Sequence, residues 1–342
     1  MRRSCEVSTV CRVLTGRVFR RVFRPLMKGR TPIFMLHRKE SKRWGIGGHS
    51  PEFIRAALGS LRESGAKFVS LRTLVDAWRS GAQVDPECVV FTIDDGFADQ
   101  ADLVRDVFAP LECPVTIFLI TGFVDGRLWP WDDQITYAFE NATMPRLDIS
   151  VGAKQFRFDL TSSEKRKLGR DTLRDYCKVA SGVDPYSLVS ELAHILGTQV
   201  PVEPPEAFRP MTWDTVRELE RLGAEFGPHS VSHRIFARMS DSDAQTEIAT
   251  SWARIKEELV NPLPVFAWPT GKRVHYSGRD IDIARNVGLH AGVGTVADYA
   301  HYRDGAPPAA IFEMNRYSLP NDLFTAMRYG TYLERFRQVL PI

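Results

Sequence analysis

The stretch CVVFTIDDG, residues 88–96, is an apolar run that ends in two adjacent acids and a glycine. An apolar run without polar alternation is typical of a strand buried on both faces of a parallel sheet. Ligands bind at the carboxyl ends of such strands in both barrels and doubly wound sheets. Asp94 and Asp95 are therefore predicted to lie at the mouth of a site. By itself, however, the motif is more typical of an Asp-Gly turn that caps a helix.

Similar strand-like runs alternate with helical patterns along most of the chain. The other runs that we predict to be strands lie at residues 31–36, 67–71, 114–120, 264–268 and 289–294. Helical spacing of apolar residues predicts helices between them, for example over residues 50–64 and 241–259. This alternation predicts a parallel α/β architecture, either a barrel or a doubly wound sheet.

Residues 125–210 interrupt the alternation and are predicted to form an inserted, mostly helical subdomain. The body then spans residues 31–320, and residues 321–342 are predicted to form a C-terminal helix. Trp129 and Trp131, at the start of the insertion, are interpreted either as anchors of the insertion or as an aromatic platform on which a ligand ring stacks.

The net charge of +3 conceals a basic leader. Residues 1–30 carry nine Lys or Arg and one acid, so the rest of the chain is net acidic. Arginines interrupt each apolar run of the leader, which argues against a signal peptide, and no run is long enough to span a membrane. The leader is interpreted as a disordered basic segment or as an amphipathic helix on an anionic membrane surface. We expect a cytoplasmic protein without a nucleic-acid partner. The second interpretation of the leader would make it peripheral to the inner membrane surface.

A second chemical motif, HSVSH at residues 229–233, follows the strand-like run AEFG. Its two histidines are four residues apart, a spacing that lets both imidazoles face one metal ion. Alone, such a pair of histidines more often lies on the protein surface or caps a helix. Together with an aspartate from another strand end, it makes a His₂Asp set with an open position for water, which is typical of a catalytic metal site. We expect Zn²⁺ there, with Co²⁺, Ni²⁺ or Mn²⁺ as alternatives.

The runs TIDDG, HSVSH and FAWPTG (residues 266–271) occur in the order found in polysaccharide deacetylases with a NodB homology domain. Over about residues 31–320 the chain resembles this family of metal-dependent carbohydrate esterases, and in particular a subgroup with a helical insertion before the histidine motif. The resemblance implies a distorted (β/α) barrel of about seven strands. It also implies a hydrolase that removes N-acetyl groups from an amino-sugar unit of a polysaccharide, an oligosaccharide or a lipid-linked saccharide.

The resemblance also implies a role for each motif residue. Three residues would hold the metal: Asp95, His229 and His233. Asp94 would be the general base that activates water, and the backbone N–H of Thr270 would bind the oxyanion. Trp268 and Phe97 flank the motifs, and we expect them to shape the substrate pocket.

Two departures from the family pattern concern proton transfer. The third motif lacks the arginine that orients the base, and the C-terminal run IFEMNRYSL, residues 311–319, lacks the histidine that serves as the general acid. We predict that Arg316 lies near Asp94 and replaces the missing arginine. His37, at the end of the first strand, is our candidate for the acid, with a structural role at the rim as an equal alternative.

Three functions therefore remain open. The first is N-deacetylation of a glycan or a lipid-linked saccharide. The second is an O-acetyl esterase or another linear amide hydrolase on the same site. The third is a catalytically impaired barrel that binds glycan, an alternative that the missing C-terminal histidine keeps open.

Overall fold

A parallel sheet lies at the centre of the protein. The computed structural model describes residues 14–301 and 308–339. The strands are β1 Arg30–Thr31, β2 Ile33–Leu36, β3 Lys67–Phe68, β4 Cys88–Asp95, β5 Val115–Leu119, β6 Arg146–Val151, β7 Lys154–Asp159, β8 Glu225–Pro228, β9 Val265–Ala267, β10 Ala291–Val293, β11 Ala300–His301 and β12 Tyr317–Ser318. In the central sheet, hydrogen bonds join the strands in the order β12–β2–β4–β5–β8, and β3 pairs with β4.

A second parallel pair, β9 and β10, lies beside β8. The Leu263 N–H donates to the Phe226 carbonyl over 2.8 Å, which joins the segment before β9 to β8. Val293 of β10 forms a parallel bridge to Met314, just before β12. The α/β class is therefore as predicted, and the strand arrangement is consistent with a (β/α) barrel.

Helices cover the strands, as their sequence patterns predict. The described α-helices are Arg17–Phe23, Pro51–Glu63, Leu71–Arg79, Ala98–Leu103, Thr121–Val124, Trp131–Glu140, Ser163–Cys177, Pro185–Ile195, Trp213–Arg221, Asp241–Glu258, Gly278–Asn286, Leu323–Tyr329 and Leu333–Val339. Ser50 caps Pro51–Glu63 by accepting from the Phe53 N–H. None of the helices in these described ranges is long and apolar enough to cross a bilayer.

The insertion at residues 125–210 has an apolar core of its own. Side chains from its helices and strands form this cluster, which includes Trp131, Phe139, Leu173 and Leu192. The expectation of a mostly helical segment overlooks the antiparallel hairpin of β6 and β7. The sequence does indicate a strand here, because residues 146–151 alternate polar and apolar side chains. In β6 these side chains alternate exposed and buried.

Both ends of the described chain pack on the body. Residues 1–13 of the predicted leader lie outside the described residues, and residues 17–23 form a helix. The single C-terminal helix predicted for residues 321–342 is wrong, because two short helices are separated at Gly330. A Cβ at Gly330 would lie 2.3 Å from Leu61 Cδ2, so the backbone passes too close to a neighbouring helix for a larger residue.

Candidate active site

The turn after β4 places two carboxylates at the carboxyl edge of the sheet. Asp95 and Gly96 both have left-handed backbone, with φ of 90° and 91°. A Cβ on Gly96 would lie 2.8 Å from Leu119 Cδ2, so a larger residue would have to displace the Leu119 side chain as well as adopt a conformation that favours glycine. Strained φ values in non-glycine residues such as Asp95 cluster at functional sites, because the surrounding structure must enforce them.

Asp95, His229 and His233 come together as the metal-ligand prediction requires. Their potential ligand atoms all lie within 4.8 Å of one another. The Asp95 Oδ1 atom is 3.6 Å from His229 Nε2 and 3.9 Å from His233 Nε2. It is buried and has no hydrogen-bond partner among the described residues. A buried carboxylate oxygen without a partner is costly, so this cluster is suited to a cation.

The protonation states of the cluster agree with metal binding. Burial lowers the pKa of His229 to about 3, so its imidazole is neutral, the form that binds metals. Nδ1 of His229 lies 2.7 Å from the Ala267 carbonyl; if Nδ1 carries the proton and donates, Nε2 is left free to face Asp95. Burial and the adjacent Asp94 raise the pKa of Asp95 well above its usual value. A divalent cation would stabilise the ionised form of Asp95 and would bind the neutral imidazole of His229. The residues present therefore fit the predicted metal ion.

Arg316 forms a bidentate ion pair with Asp94. Its Nη1 and Nη2 atoms each donate to one carboxylate oxygen of Asp94 over 2.7 Å. Nε donates to the Gly294 carbonyl over 2.8 Å, and Nη1 also donates to Thr92 Oγ1 over 3.0 Å. Burial alone would raise the pKa of Asp94, but the charge and the hydrogen bonds of Arg316 hold that pKa at about 2. The arginine is thus placed where the sequence prediction expects it.

His37 lies at the rim, on the other side of Asp94. Its Nε2 is 3.9 Å from Asp94 Oδ2, and its side chain is 46% exposed. It therefore contacts the buried carboxylate and solvent at once, a position from which a group can meet a bound substrate. Packing around the imidazole lowers the pKa of His37, although Asp94 opposes this shift.

Two predicted pocket residues are buried. Trp268 is 0% exposed: it stacks on Tyr276 and donates from its indole to the Phe312 carbonyl over 2.8 Å. Phe97 is equally buried, with the Arg38 guanidinium 3.7 Å from its ring centre. Both rings are core side chains without an open face toward solvent, and their part in shaping the substrate pocket stays a prediction.

Thr270 and the two insertion tryptophans have identifiable local roles. Thr270 follows β9 with a φ of 56°, and its hydroxyl pairs with His275 Nδ1. Its oxyanion role stays a prediction. Trp129 and Trp131 are both buried, so they anchor the insertion and do not form a sugar platform.

Gln100 joins the active-site turn to the end of β2, and no sequence motif indicates this role. Its side-chain amide donates to the carbonyls of His37 and Asp94, and its Oε1 accepts from the Gly96 N–H over 3.1 Å. It is completely buried. No local pattern predicts this role, because a glutamine in the first turn of a helix is usually exposed.

Comparisons with known proteins agree with the geometry. The sequence pattern of the family described as polysaccharide deacetylase matches residues 187–292, which include the histidine motif and β9. The predicted resemblance to polysaccharide deacetylases is therefore confirmed over this segment, and with it the class of hydrolases acting on carbon–nitrogen bonds other than peptide bonds. No curated protein sequence matches the chain.

Several solved structures share the fold at low sequence identity. A deacetylase of Streptococcus pyogenes, PplD, in complex with acetate, is 16% identical with a TM-score of 0.55; the match covers 87% of this chain and 98% of that one. IcaB from Ammonifex degensii is 15% identical with a TM-score of 0.57, covering 88% and 97%. A de-N-acetylase from Aggregatibacter actinomycetemcomitans is 14% identical with a TM-score of 0.54, covering 88% and 99%.

Proposed function

We propose that the chain is a metal-dependent hydrolase that removes N-acetyl groups from an amino-sugar unit of a polysaccharide, oligosaccharide or lipid-linked saccharide. One observation carries the proposal: the Asp95, His229 and His233 cluster lies beside a second carboxylate, Asp94, that is separately neutralised by Arg316. Two adjacent acids with different partners suit two different tasks, one as a ligand and one as a base. We also propose that the strands form the distorted barrel that the resemblance implies.

Each residue has a defined part in this reaction. Asp95, His229 and His233 would hold the divalent ion, with Zn²⁺ as our first choice. When bound, the ion supplies a Lewis acid for the acetyl carbonyl and makes water a stronger nucleophile at neutral pH. Asp94 is ionised and accepts one proton from the attacking water, while Arg316 fixes the orientation of its carboxylate.

The second half of the reaction needs a proton at the leaving nitrogen. As the carbon–nitrogen bond breaks, the sugar nitrogen leaves as an amine and the acetyl group becomes acetate. We assign the donation of that proton to His37, whose Nε2 lies 3.9 Å from Asp94 Oδ2 at the exposed rim. The Thr270 N–H is proposed to bind the carbonyl oxygen as negative charge develops on it.

Acetate release from a defined glycan tests the proposal. The purified chain loaded with Zn²⁺ is expected to release acetate from N-acetylated chito-oligosaccharides, and chelation followed by dialysis is expected to stop release. Release only from O-acetylated sugars would favour the esterase alternative. Metal binding without any hydrolysis would favour a glycan-binding protein.

A variant of His37 tests the acid separately. His37→Ala is expected to lower kcat for the N-acetyl substrate by about 10²–10⁴-fold, the usual size of general acid catalysis. Hydrolysis of 4-nitrophenyl acetate is expected to change much less, because nitrophenolate leaves without a proton. Equal losses on both substrates would contradict the role as acid, and full activity would exclude it.

We also propose that the leader contacts an anionic membrane surface. The helix Arg17–Phe23 turns Val18 and Val22 outward, 75% and 64% exposed, next to the exposed Arg17 and Arg21. No acid occurs between residues 14 and 30. Exposed apolar side chains flanked by arginines are suited to the interface of an anionic bilayer. The cytoplasmic location stays a prediction.

A further inference from the structure

The loop that carries both histidines depends on other elements for its backbone hydrogen bonds. The carbonyls of Ser230 and Val231 accept from the N–H groups of Thr121 and Gly122, over 3.1 and 3.0 Å. The N–H groups of Val231 and Ser232 donate to one oxygen of Glu247, over 2.8 and 2.9 Å. These partners all belong to the α/β body.

The last two carbonyls of the loop are bound by the insertion instead. The Tyr186 hydroxyl donates to the Ser232 carbonyl over 2.9 Å. The Trp131 indole N–H donates to the carbonyl of His233 itself over 3.1 Å. Both side chains come from the first two residues of insertion helices, Trp131–Glu140 and Pro185–Ile195. The N-termini of two insertion helices therefore contact the end of the loop that carries His233.

The loop has a conformation that needs such support. Ser230 and His233 have φ values of 66° and 55°, in the left-handed region that side chains other than glycine rarely adopt. Both residues are buried, so a loop carbonyl that lost its partner could not readily turn to water. Within this motif, the His233 N–H donates to Ser230 Oγ over 2.9 Å, and the two imidazole rings lie edge to face with their centres 4.9 Å apart. The ligand geometry of His233 is thus enforced from outside the motif.

We propose that the insertion is a clamp for the metal-binding loop, and that Trp131 and Tyr186 are positioning residues that hold the His233 imidazole toward Asp95. His233 Nδ1 has no hydrogen-bond partner among the described residues, so its ring is not oriented through the atom that usually fixes a ligand histidine. Backbone anchoring takes over that task. The proposal rests on the metal site of the proposed function, and it assigns a role to residues 125–210.

Metal affinity tests the clamp without reference to turnover. Co²⁺ is titrated into the metal-free chain, and the dissociation constant and the visible absorption of the bound ion are recorded. Tyr186→Phe and Trp131→Phe each remove one donor and are expected to weaken Co²⁺ binding by about 10–100-fold, as loss of a partner that orients a ligand usually does. The visible spectrum is expected to change as well, because the position of one ligand shifts.

Two matched variants control for loss of a buried hydrogen bond. Trp129 donates to the Pro201 carbonyl over 3.1 Å within the insertion, and Tyr299 donates to the Thr331 carbonyl over 2.8 Å. Neither bond reaches the histidine loop. Trp129→Phe and Tyr299→Phe are therefore expected to lower the melting temperature as much as the test variants while leaving the Co²⁺ dissociation constant within about twofold of the native value.

The outcomes separate the clamp from the proposed function. Native affinity and an unchanged spectrum in Tyr186→Phe and Trp131→Phe would overturn the clamp and leave the metal site intact. Equal weakening in the test and control variants would also overturn it, since the effect would then be general destabilisation. A native chain that binds no Co²⁺ would overturn the proposed function and the clamp together.

Discussion

Asp94 and Asp95 are neighbours in the chain with opposite electrostatic surroundings. Arg316 balances Asp94 and holds its pKa at about 2, whereas Asp95 faces two neutral imidazoles and has a raised pKa. One carboxylate is therefore already neutralised by the protein, and the other still needs a cation. This difference, more than the Asp-Asp motif itself, supports the assignment of one as base and the other as ligand.

The Asp94–Arg316 pair makes a prediction about stability. Arg316→Met leaves the buried Asp94 carboxylate without its partner and is expected to lower the free energy of unfolding by about 3–5 kcal/mol. Urea denaturation of the metal-free chain measures the change. The double variant Asp94→Asn with Arg316→Met removes both charges and is expected to recover most of the loss. Strictly additive effects of the two substitutions would contradict a direct interaction.

At the scale of elements, the site depends on the carboxyl ends of parallel strands. β4 supplies both acids, β8 leads into the histidine loop, and β2 ends just before His37. The turn after β4 is tight because β5 passes close beside it, and a Cβ built on Gly96 would meet the Leu119 side chain of that strand. Gly288 has a similar φ of 90°, but no atom lies within 4 Å of a Cβ built there.

This contrast between two glycines can be measured. Gly288→Ala is expected to cost about 1–2 kcal/mol, the strain of left-handed backbone alone. Gly96→Ala is expected to cost about 1–3 kcal/mol more, because its methyl group would also overlap Leu119. Unfolding in urea gives both values. Equal costs would show that the turn can relax, and the account of its rigidity would then be wrong.

Some of these elements could be predicted from sequence and others could not. The carboxyl-edge acids follow from an apolar run, and the Arg316 pairing across 222 residues could be inferred only from the missing third-motif arginine. The contacts of Gln100, Glu247, Trp131 and Tyr186 with the motifs carry no local signal, because they form only when distant helices pack. Position along the chain also does not reveal how deeply a side chain is buried. The sequence therefore could not show that the aromatic residues beside the motifs are core residues.

At the scale of the whole molecule, the leader helix Arg17–Phe23 and the site lie at opposite ends of β4. The Arg20 guanidinium donates to the Glu87 carbonyl, one residue before β4, whereas Asp94 and Asp95 end that strand. A strand of this length spans about 23 Å. A membrane contact at the leader would therefore direct the site away from the lipid surface.

Vesicle binding tests the membrane contact. The full chain is expected to sediment with vesicles that contain phosphatidylglycerol, less so at high salt, and not with neutral phosphatidylcholine vesicles. Val18→Asp with Val22→Asp is expected to abolish sedimentation, whereas Val260→Asp with Val274→Asp, at similarly exposed positions elsewhere, is expected to have no effect. Equal binding by both double variants would contradict a contact through this helix.

The most direct measurement of the central claim compares metal binding and turnover in Asp94→Asn. The account assigns the metal to Asp95, His229 and His233 and proton abstraction to Asp94. The variant is therefore expected to bind Co²⁺ within about threefold of the native dissociation constant and to release acetate from chito-oligosaccharides about 10²–10⁴-fold more slowly. Native rates of acetate release in Asp94→Asn, with the metal bound, would contradict the account.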